Sequence, residues 1–409
     1  MSHDLKTNMD TETGIETPTE QGYYATMSPS VLNSSLPTDS RSTIGHTPLQ
    51  VPVYLQAILI TMYSAIIILS VGGNLTVCFI VFRARRMRTV MNFFIVSLAM
   101  SDLLMAILCI PFTFVANLVL NYWPFGDLLC PIVTFLQSVT VFLSSFTLVA
   151  ISMDRYIAII YPLRQKMSKK QAFIVIALIW CISFLIPIPT AMFSWTHKYV
   201  NVSTAPKFCQ EMFANPEDKR LYGTMIMLLQ YFLPLVILMF TYGRISAVMW
   251  SDRAPGEAMT TRDQRMTESK RKIIKMMITV VIIYAICWLP LHVLNIAGDV
   301  DPSVYDVKGM NYIWMTSHWL AMSNCMYNPF IYCWMNAKFR NGFLKVLNCF
   351  TCGLVNVTDE IEMQRIRRQD TLTVTTSVSV NGSLRRFNSS KRKEAAAYNA
   401  EYTAMAEKR

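Results

Sequence analysis

Seven stretches of this chain run for more than twenty residues with at most one charged side chain each: 51–82, 89–126, 128–153, 171–197, 221–243, 276–298 and 309–337. Crossing a hydrocarbon core takes about 20 predominantly apolar residues, so each stretch is long enough to span a bilayer as a helix. They are rich in Leu, Ile, Val, Phe and Met and carry interior prolines, which membrane helices tolerate. One such stretch would fit a buried soluble helix. Seven in series predict an all-α membrane protein, a seven-transmembrane helix bundle. Composition agrees: 15% of residues are charged and 53% hydrophobic, whereas soluble domains average about 25% charged and disorder requires low hydrophobicity.

An odd number of spans places the termini on opposite sides. The loops after the first, third and fifth spans hold 17 Lys and Arg, beginning with Arg83, Arg85, Arg86 and Arg88; the other three hold five. The positive-inside rule then sets the N-terminus outside and the C-terminus in the cytoplasm. Residues 1–50 lack the apolar run of a cleavable signal peptide, so the first span serves as the insertion signal. The net charge of +11 divides into −6 outside, +18 in the cytoplasm and Asp102 between them. Basic charge of this kind marks orientation and a docking surface, not nucleic acid.

This gives four segments. Residues 1–50 form a disordered extracellular tail and 51–337 the bundle. Residues 338–352 form an amphipathic helix, with Phe339, Phe343 and Leu347 every four residues beside Lys338, Arg340 and Lys345, suited to an anionic lipid surface. Residues 353–409 form a flexible cytoplasmic tail whose Thr371–Ser379 tract offers phosphorylation sites. Most of the ten Cys lie within spans. Cys130 and Cys209 both face the oxidising side, either as free thiols or as a bridge pinning the long outer loop, and that compartment favours the bridge. Cys349 and Cys352, just past the amphipathic segment, are candidates for palmitoylation. Asn33 and Asn201 begin outer glycosylation sequons.

A set of motifs falls in order along the spans: Gly73-Asn74, Leu98-Ala99-Met100-Ser101-Asp102, Asp154-Arg155-Tyr156, Trp180, Pro234 with Tyr242, Cys287-Trp288-Leu289-Pro290, and Asn328-Pro329-Phe330-Ile331-Tyr332. Together they resemble the rhodopsin-like G-protein-coupled receptors over about residues 50–350. The resemblance implies a plasma-membrane receptor, not an enzyme, that binds a ligand outside and acts on a heterotrimeric G protein inside. It implies no cofactor beyond an allosteric sodium ion. Arrestin, receptor kinases and the lipid bilayer are its further implied partners.

Physical chemistry supports several of the roles the resemblance assigns. Asp102 is an acid in mid-span, costly unless paired or hydrated; with Ser144, Asn324 and Asn328 it would supply oxygen ligands to sodium, or stand as a hydrogen-bonded structural acid. An Asp154–Arg155 ion pair would hold the inactive state until its opening exposes Arg155. Pro290 and Pro329 remove helix donors and make hinges. The resemblance makes Trp288 a toggle, and Tyr156, Pro234, Tyr242 and Tyr332 parts of the activation switch. Three positions depart from the family pattern: Lys270 stands where many members carry an acid that locks Arg155, and Ser145 with Tyr284 replaces a bulky apolar pair near Pro234.

The ligand class is narrowed by elimination. Span 309–337 has no Lys for a retinal Schiff base, and Gln137 stands where amine receptors carry an Asp, 18 residues before Arg155 and so on its face. The outer side is acidic, with Glu211, Asp299, Asp301 and Asp306, and acidic rims attract basic ligands. Gln137, Gln230, Asn295 and His318 offer uncharged hydrogen bonds deeper down. Tyr122-Trp123-Pro124-Phe125-Gly126, Asp299, the run His318 to Ser323 and the stretch Phe142 to Leu163 are similar to the neuropeptide Y and tachykinin branch, and most to invertebrate RYamide (luqin-like) receptors. That resemblance implies a peptide ending in Arg-Tyr-amide, its Arg on Asp299 and its amide on Gln137 and Gln230; a tachykinin-like, neuropeptide FF-like or neuropeptide Y/F-like ligand is the alternative. A channel or transporter would need several intramembrane charges or mirrored halves. Here Asp102 is the one acid or base deep in a span.

Overall fold

The computed structural model describes residues 52–198, 205–250, 261–307 and 309–350. Asn33, Asn201, Cys352, the two tails and the Thr371–Ser379 tract lie outside the described residues. Contacts divide the chain into a unit ending at Phe339 and another beginning at Arg340.

Six helices among the described residues are long and apolar enough to cross a membrane: α1 Val53–Arg83, α2 Val90–Leu120, α3 Leu129–Ile160, α4 Lys169–Phe193, α5 Pro216–Trp250 and α6, whose apolar part is Lys270–Val300. The seventh, α7 (Met310–Met335), is long enough but less apolar. The reason is visible in its buried face, where Ser317, His318, Ser323, Asn324 and Asn328 turn inward. Across the bundle large apolar side chains point out instead, including Phe79, Phe82, Ile174, Val236, Phe240, Ile282 and Phe330. A soluble monomer rarely exposes so much contiguous apolar surface; a hydrocarbon solvent makes it favourable. This is a multi-pass membrane protein.

The boundaries correct the sequence spacing in four places. Span 89–126 stops at Leu120, because Asn121 turns left-handed (φ 54°) and Tyr122 to Gly126 form a loop. Span 171–197 stops at Phe193, and Ser194–His197 becomes β1, paired antiparallel with β2, Phe208–Glu211. This hairpin is a small exception to the all-α expectation. Asp299 sits in the last turn of α6, not in the following loop. Cys349 lies inside the last helix, α8 (Ala337–Phe350), rather than beyond it.

Proline chemistry sets the interhelical polar contacts. A proline in a helix leaves the carbonyl four residues earlier without its donor, and in lipid that carbonyl must find another. Pro329 frees the carbonyl of Cys325, which accepts from Asn74 Nδ2 at 3.0 Å and Ser70 Oγ at 3.2 Å, both on α1. The helices approach closely there. A Cβ on Gly73 would lie 2.8 Å from Pro329 Cβ and Cγ, which explains the glycine. Pro234 frees the carbonyl of Gln230, where α5 opens into a π-turn, Leu228–Phe232, and Tyr284 of α6 donates to that carbonyl at 2.8 Å. In return Tyr231 of α5 donates to the carbonyl of Ala285 at 2.8 Å. Trp180 Nε1 joins α4 to α2 through Ser97 Oγ at 3.0 Å.

Candidate functional site

The hairpin closes one end of the bundle. Cys130 at the start of α3 is bonded to Cys209 in β2. Around this disulfide pack Ala116, Trp123 and Val133, with Phe112, Phe125 and Leu129 against them. Trp123 anchors the loop twice: its backbone N–H donates to the Lys207 carbonyl and its indole N–H to the Gly126 carbonyl, both at 2.7 Å. Gly126 has φ +83°, a conformation that a side chain would strain. Asp127 adds an exposed clasp, accepting from Lys207 Nζ at 2.6 Å and from Thr196 Oγ1. Those bonds hold its carboxyl below the usual range, the Lys207 contact being the largest cause.

Below the hairpin, four helices carry the other residues the sequence nominated for the ligand. On α6, Trp288, His292, Asn295 and Asp299 recur at helical spacing and line one stripe from mid-membrane to rim. On α3 the corresponding stripe runs from Gln137 through Val141 to Ser144. On α5, Gly223 faces Asp299, with 3.7 Å from its Cβ position to Oδ2, and the buried Gln230 lies two turns deeper. Gln137 is half-buried, Asn295 exposed and His318 buried. His318 Nδ1 already shares a 2.8 Å hydrogen bond with Tyr63 and stacks on Trp314, so it is less free for a ligand than its position suggested. His292, which spacing alone did not single out, stacks between Tyr231 (4.6 Å) and Trp288 (5.9 Å), its Nε2 buried without a hydrogen-bond partner.

The rim carries two half-buried carboxylates, Glu211 on β2 and Asp299 on α6. Neither makes an ion pair among the described residues. Burial holds the Glu211 carboxyl above its ordinary range; the charge of Asp299 adds to this and Lys219 opposes it. The charges of Lys219 and Arg220 also act on Asp299, so the rim sets two carboxylates beside two bases with no direct ion pair among the described residues.

Beneath Trp288 a cavity of about 10 Å³ is lined by Asp102, Ser144, Asn324 and Trp288, with Met105 and Val141 among its apolar walls. Asp102 is 2% exposed and accepts from Asn328 Nδ2 at 2.9 Å. Ser144 and Ser101 hydroxyls are 2.7 Å apart. Of the four residues that the resemblance nominated for sodium, Asp102, Ser144 and Asn324 line a void of about one water, and Asn328 reaches it through its bond to Asp102. One carboxylate with hydroxyl and amide oxygens is a donor set that fits a hard cation.

At the opposite, basic end, Arg155 Nε donates to Asp154 Oδ2 at 3.0 Å and its Nη2 completes the ion pair. Tyr156 lies against Phe240 and Tyr161, Tyr242 is buried, and Tyr332 packs on Phe339. Lys270 is exposed, so α6 offers no carboxylate at that position. Instead Arg271 ties α6 to the end of α5, donating from Nη2 to the Met249 carbonyl at 2.6 Å and lying 5.6 Å over the Trp250 ring.

A seven-helix membrane bundle with a disulfide-pinned hairpin at one end, a polar central stripe and an Asp-Arg pair at its far end defines a receptor architecture. The chain matches the 7 transmembrane receptor (rhodopsin family) over residues 73–332, and it belongs to this family of receptors, which are not enzymes. It is 44% identical over 306 residues to the RYamide receptor of Drosophila melanogaster, covering 72% of this chain and 64% of that protein. It is also 44% identical to the RYamide receptor of Tribolium castaneum, covering 73% and 83%. The mouse neuropeptide Y receptor type 2 is 39% identical, covering 73% and 78%.

Proposed function

We propose that this chain is a plasma-membrane receptor for an amidated peptide ending in Arg-Tyr-amide, with its hairpin end outside and its Arg155 end on a heterotrimeric G protein. The observation that carries the ligand reading is the unpaired, half-buried acid pair Glu211 and Asp299 above a polar stripe. A guanidinium satisfies such a seat with charge-assisted hydrogen bonds, while Gln137 and Gln230 take the neutral amide below it. The names of the two insect relatives support the particular ending. The loop charge asymmetry supports the orientation, and the basic end would also serve arrestin and receptor kinases. The remaining site roles complete the reading: Asp102, Ser144, Asn324 and Asn328 hold sodium, which would supply positive charge beside the buried acid; Cys349 and Cys352 are acylated near the membrane-surface helix; Asn33 and Asn201 are glycosylated.

Activation follows from the two-ended arrangement. Peptide binding favours a state in which α6 swings at Pro290 and the Asp154–Arg155 pair opens. By linkage a G protein must tighten peptide binding by the same factor.

Asp299→Ala is expected to lower the potency of an Arg-Tyr-amide peptide roughly 10- to 100-fold, the cost of removing one charge-assisted hydrogen bond. Calcium and cyclic-AMP responses of expressing cells measure it, against an amidated peptide with its Arg replaced. Unchanged potency in Asp299→Ala would sink the pairing, and silence to every Arg-Tyr-amide ending would move the assignment to another amidated peptide.

A pH dependence follows from Glu211. Its carboxyl is held above the ordinary range, so it takes up a proton earlier than an exposed Glu as the medium acidifies. The protonated form attracts a cation less, so peptide affinity should fall on acidification, at a higher pH than an exposed Glu would give, and recover as the pH rises. Glu211→Gln should bind more weakly at neutral pH with a flatter profile. Identical profiles for the two proteins in a radioligand titration would remove Glu211 from the seat.

A further inference from the structure

Gln230 depends on a residue from another helix. Pro234 supplies no N–H, so the Gln230 carbonyl has lost its helical donor. The chain opens there into the π-turn Leu228–Phe232, and the carbonyl is satisfied by the Tyr284 hydroxyl at 2.8 Å. Tyr284 is 1% exposed, and the fully buried Ser145 lies within reach of its hydroxyl. Gln230 itself is buried, at 6% residue exposure. The N–H and carbonyl groups of its side-chain amide match those of a primary amide, which offers the same two kinds of group in return.

We propose that Tyr284 is a positioning residue: its hydroxyl holds the π-turn in register and so aims the Gln230 amide at the amidated end of the peptide. The residue that departs from the apolar family pattern thereby becomes part of the recognition of the ligand. That role rests on the reading of Gln230 as a ligand contact. With Tyr284→Phe the ring and its packing remain, but the Gln230 carbonyl is orphaned. The turn then loses this tie to α6, and a one-residue change of register rotates a side chain by about 100°.

The test compares wild type, Tyr284→Phe, Gln230→Ala and the double variant in competition binding, normalised to surface receptor. Each is titrated with an Arg-Tyr-amide peptide and with the same peptide as its free acid. Gln230→Ala is expected to cut the preference for the amide roughly 5- to 10-fold, the worth of a neutral hydrogen bond. Tyr284→Phe should cut it comparably, and the double variant no further than Gln230→Ala. A merely structural role for Tyr284 would weaken both peptides equally and leave the preference intact, and that result overturns the proposal. Losses that multiply in the double variant overturn it as well, since they show independent action. If Gln230→Ala leaves the preference unchanged, the ligand reading of Gln230 fails and the positioning role fails with it. Loss in Gln230→Ala with wild-type behaviour in Tyr284→Phe refutes the positioning role alone.

Discussion

Cells expressing Cys209→Ser are expected to lose nearly all high-affinity binding of the peptide, and most of the receptor from the surface. The bridge to Cys130 closes a loop of 79 residues, and removing a native disulfide of that kind costs about 2–5 kcal/mol. What would remain to hold the hairpin includes the Trp123–Lys207 backbone bond, the Thr134–Ser194 hydroxyl bond and the exposed Asp127 contacts with Lys207 and Thr196. A surface ion pair is weak in water and weaker in salt, so the hairpin would not stay over the mouth. Glu211 lies two residues after Cys209, and losing the hairpin displaces one of the two carboxylates of the rim. Surface labelling together with saturation binding measures both effects. Wild-type binding by the Cys209→Ser receptor that reaches the surface would show that the bridge does not organise the ligand site.

The second large effect concerns the buried acid. Asn328→Ala removes the side-chain donor that Asp102 has among the described residues, leaving a carboxylate 2% exposed without a hydrogen-bond partner among them. An uncompensated buried charge costs about 2–4 kcal/mol. At roughly 2–4 °C of melting temperature per kcal/mol, the purified receptor should melt several degrees lower. Asp102→Asn, by contrast, removes the charge and keeps the shape, so it should melt at or above wild type. If sodium sits in the cavity, added NaCl raises the melting point of wild type and not of Asp102→Asn. A sodium response that survives in Asp102→Asn would remove Asp102 from the ion site, and an Asn328→Ala receptor as stable as wild type would mean the hydrogen bond contributes nothing.

Both effects were partly legible before any coordinates. The acid in the second span and the two outer cysteines stand out because membrane helices punish charge and because the outer compartment oxidises thiols. Their partners were nominated by motif and then brought together by the bundle. Other features resisted. The hairpin pairs Ser194–His197, at the end of an apolar run, with Phe208–Glu211 in a polar loop, and four residues carry too little period to separate strand from helix. Asp299 was read as a loop acid because polar residues at a helix end look like loop residues. His318 was read as a free pocket donor, and only the fold supplied Tyr63, 255 positions away, as its partner. The helix after the seventh span runs from Ala337 to Phe350 and includes Cys349.

By itself, the sequence determined the solvent, the number of spans and the order of the motifs, since each follows from local composition, and transfer energies add along a chain without reference to its partners. Tertiary structure decided which groups complete one another. Pro234 and Pro329 announce two orphaned carbonyls, but nothing local says that Tyr284 satisfies one and that Asn74 with Ser70 satisfies the other. Those donors come from other helices, and their identity depends on which helix packs where. The same holds for Glu211 and Asp299. They are two ordinary acids 88 positions apart in the chain, and they reach one rim only because the disulfide seats a hairpin beside the end of α6.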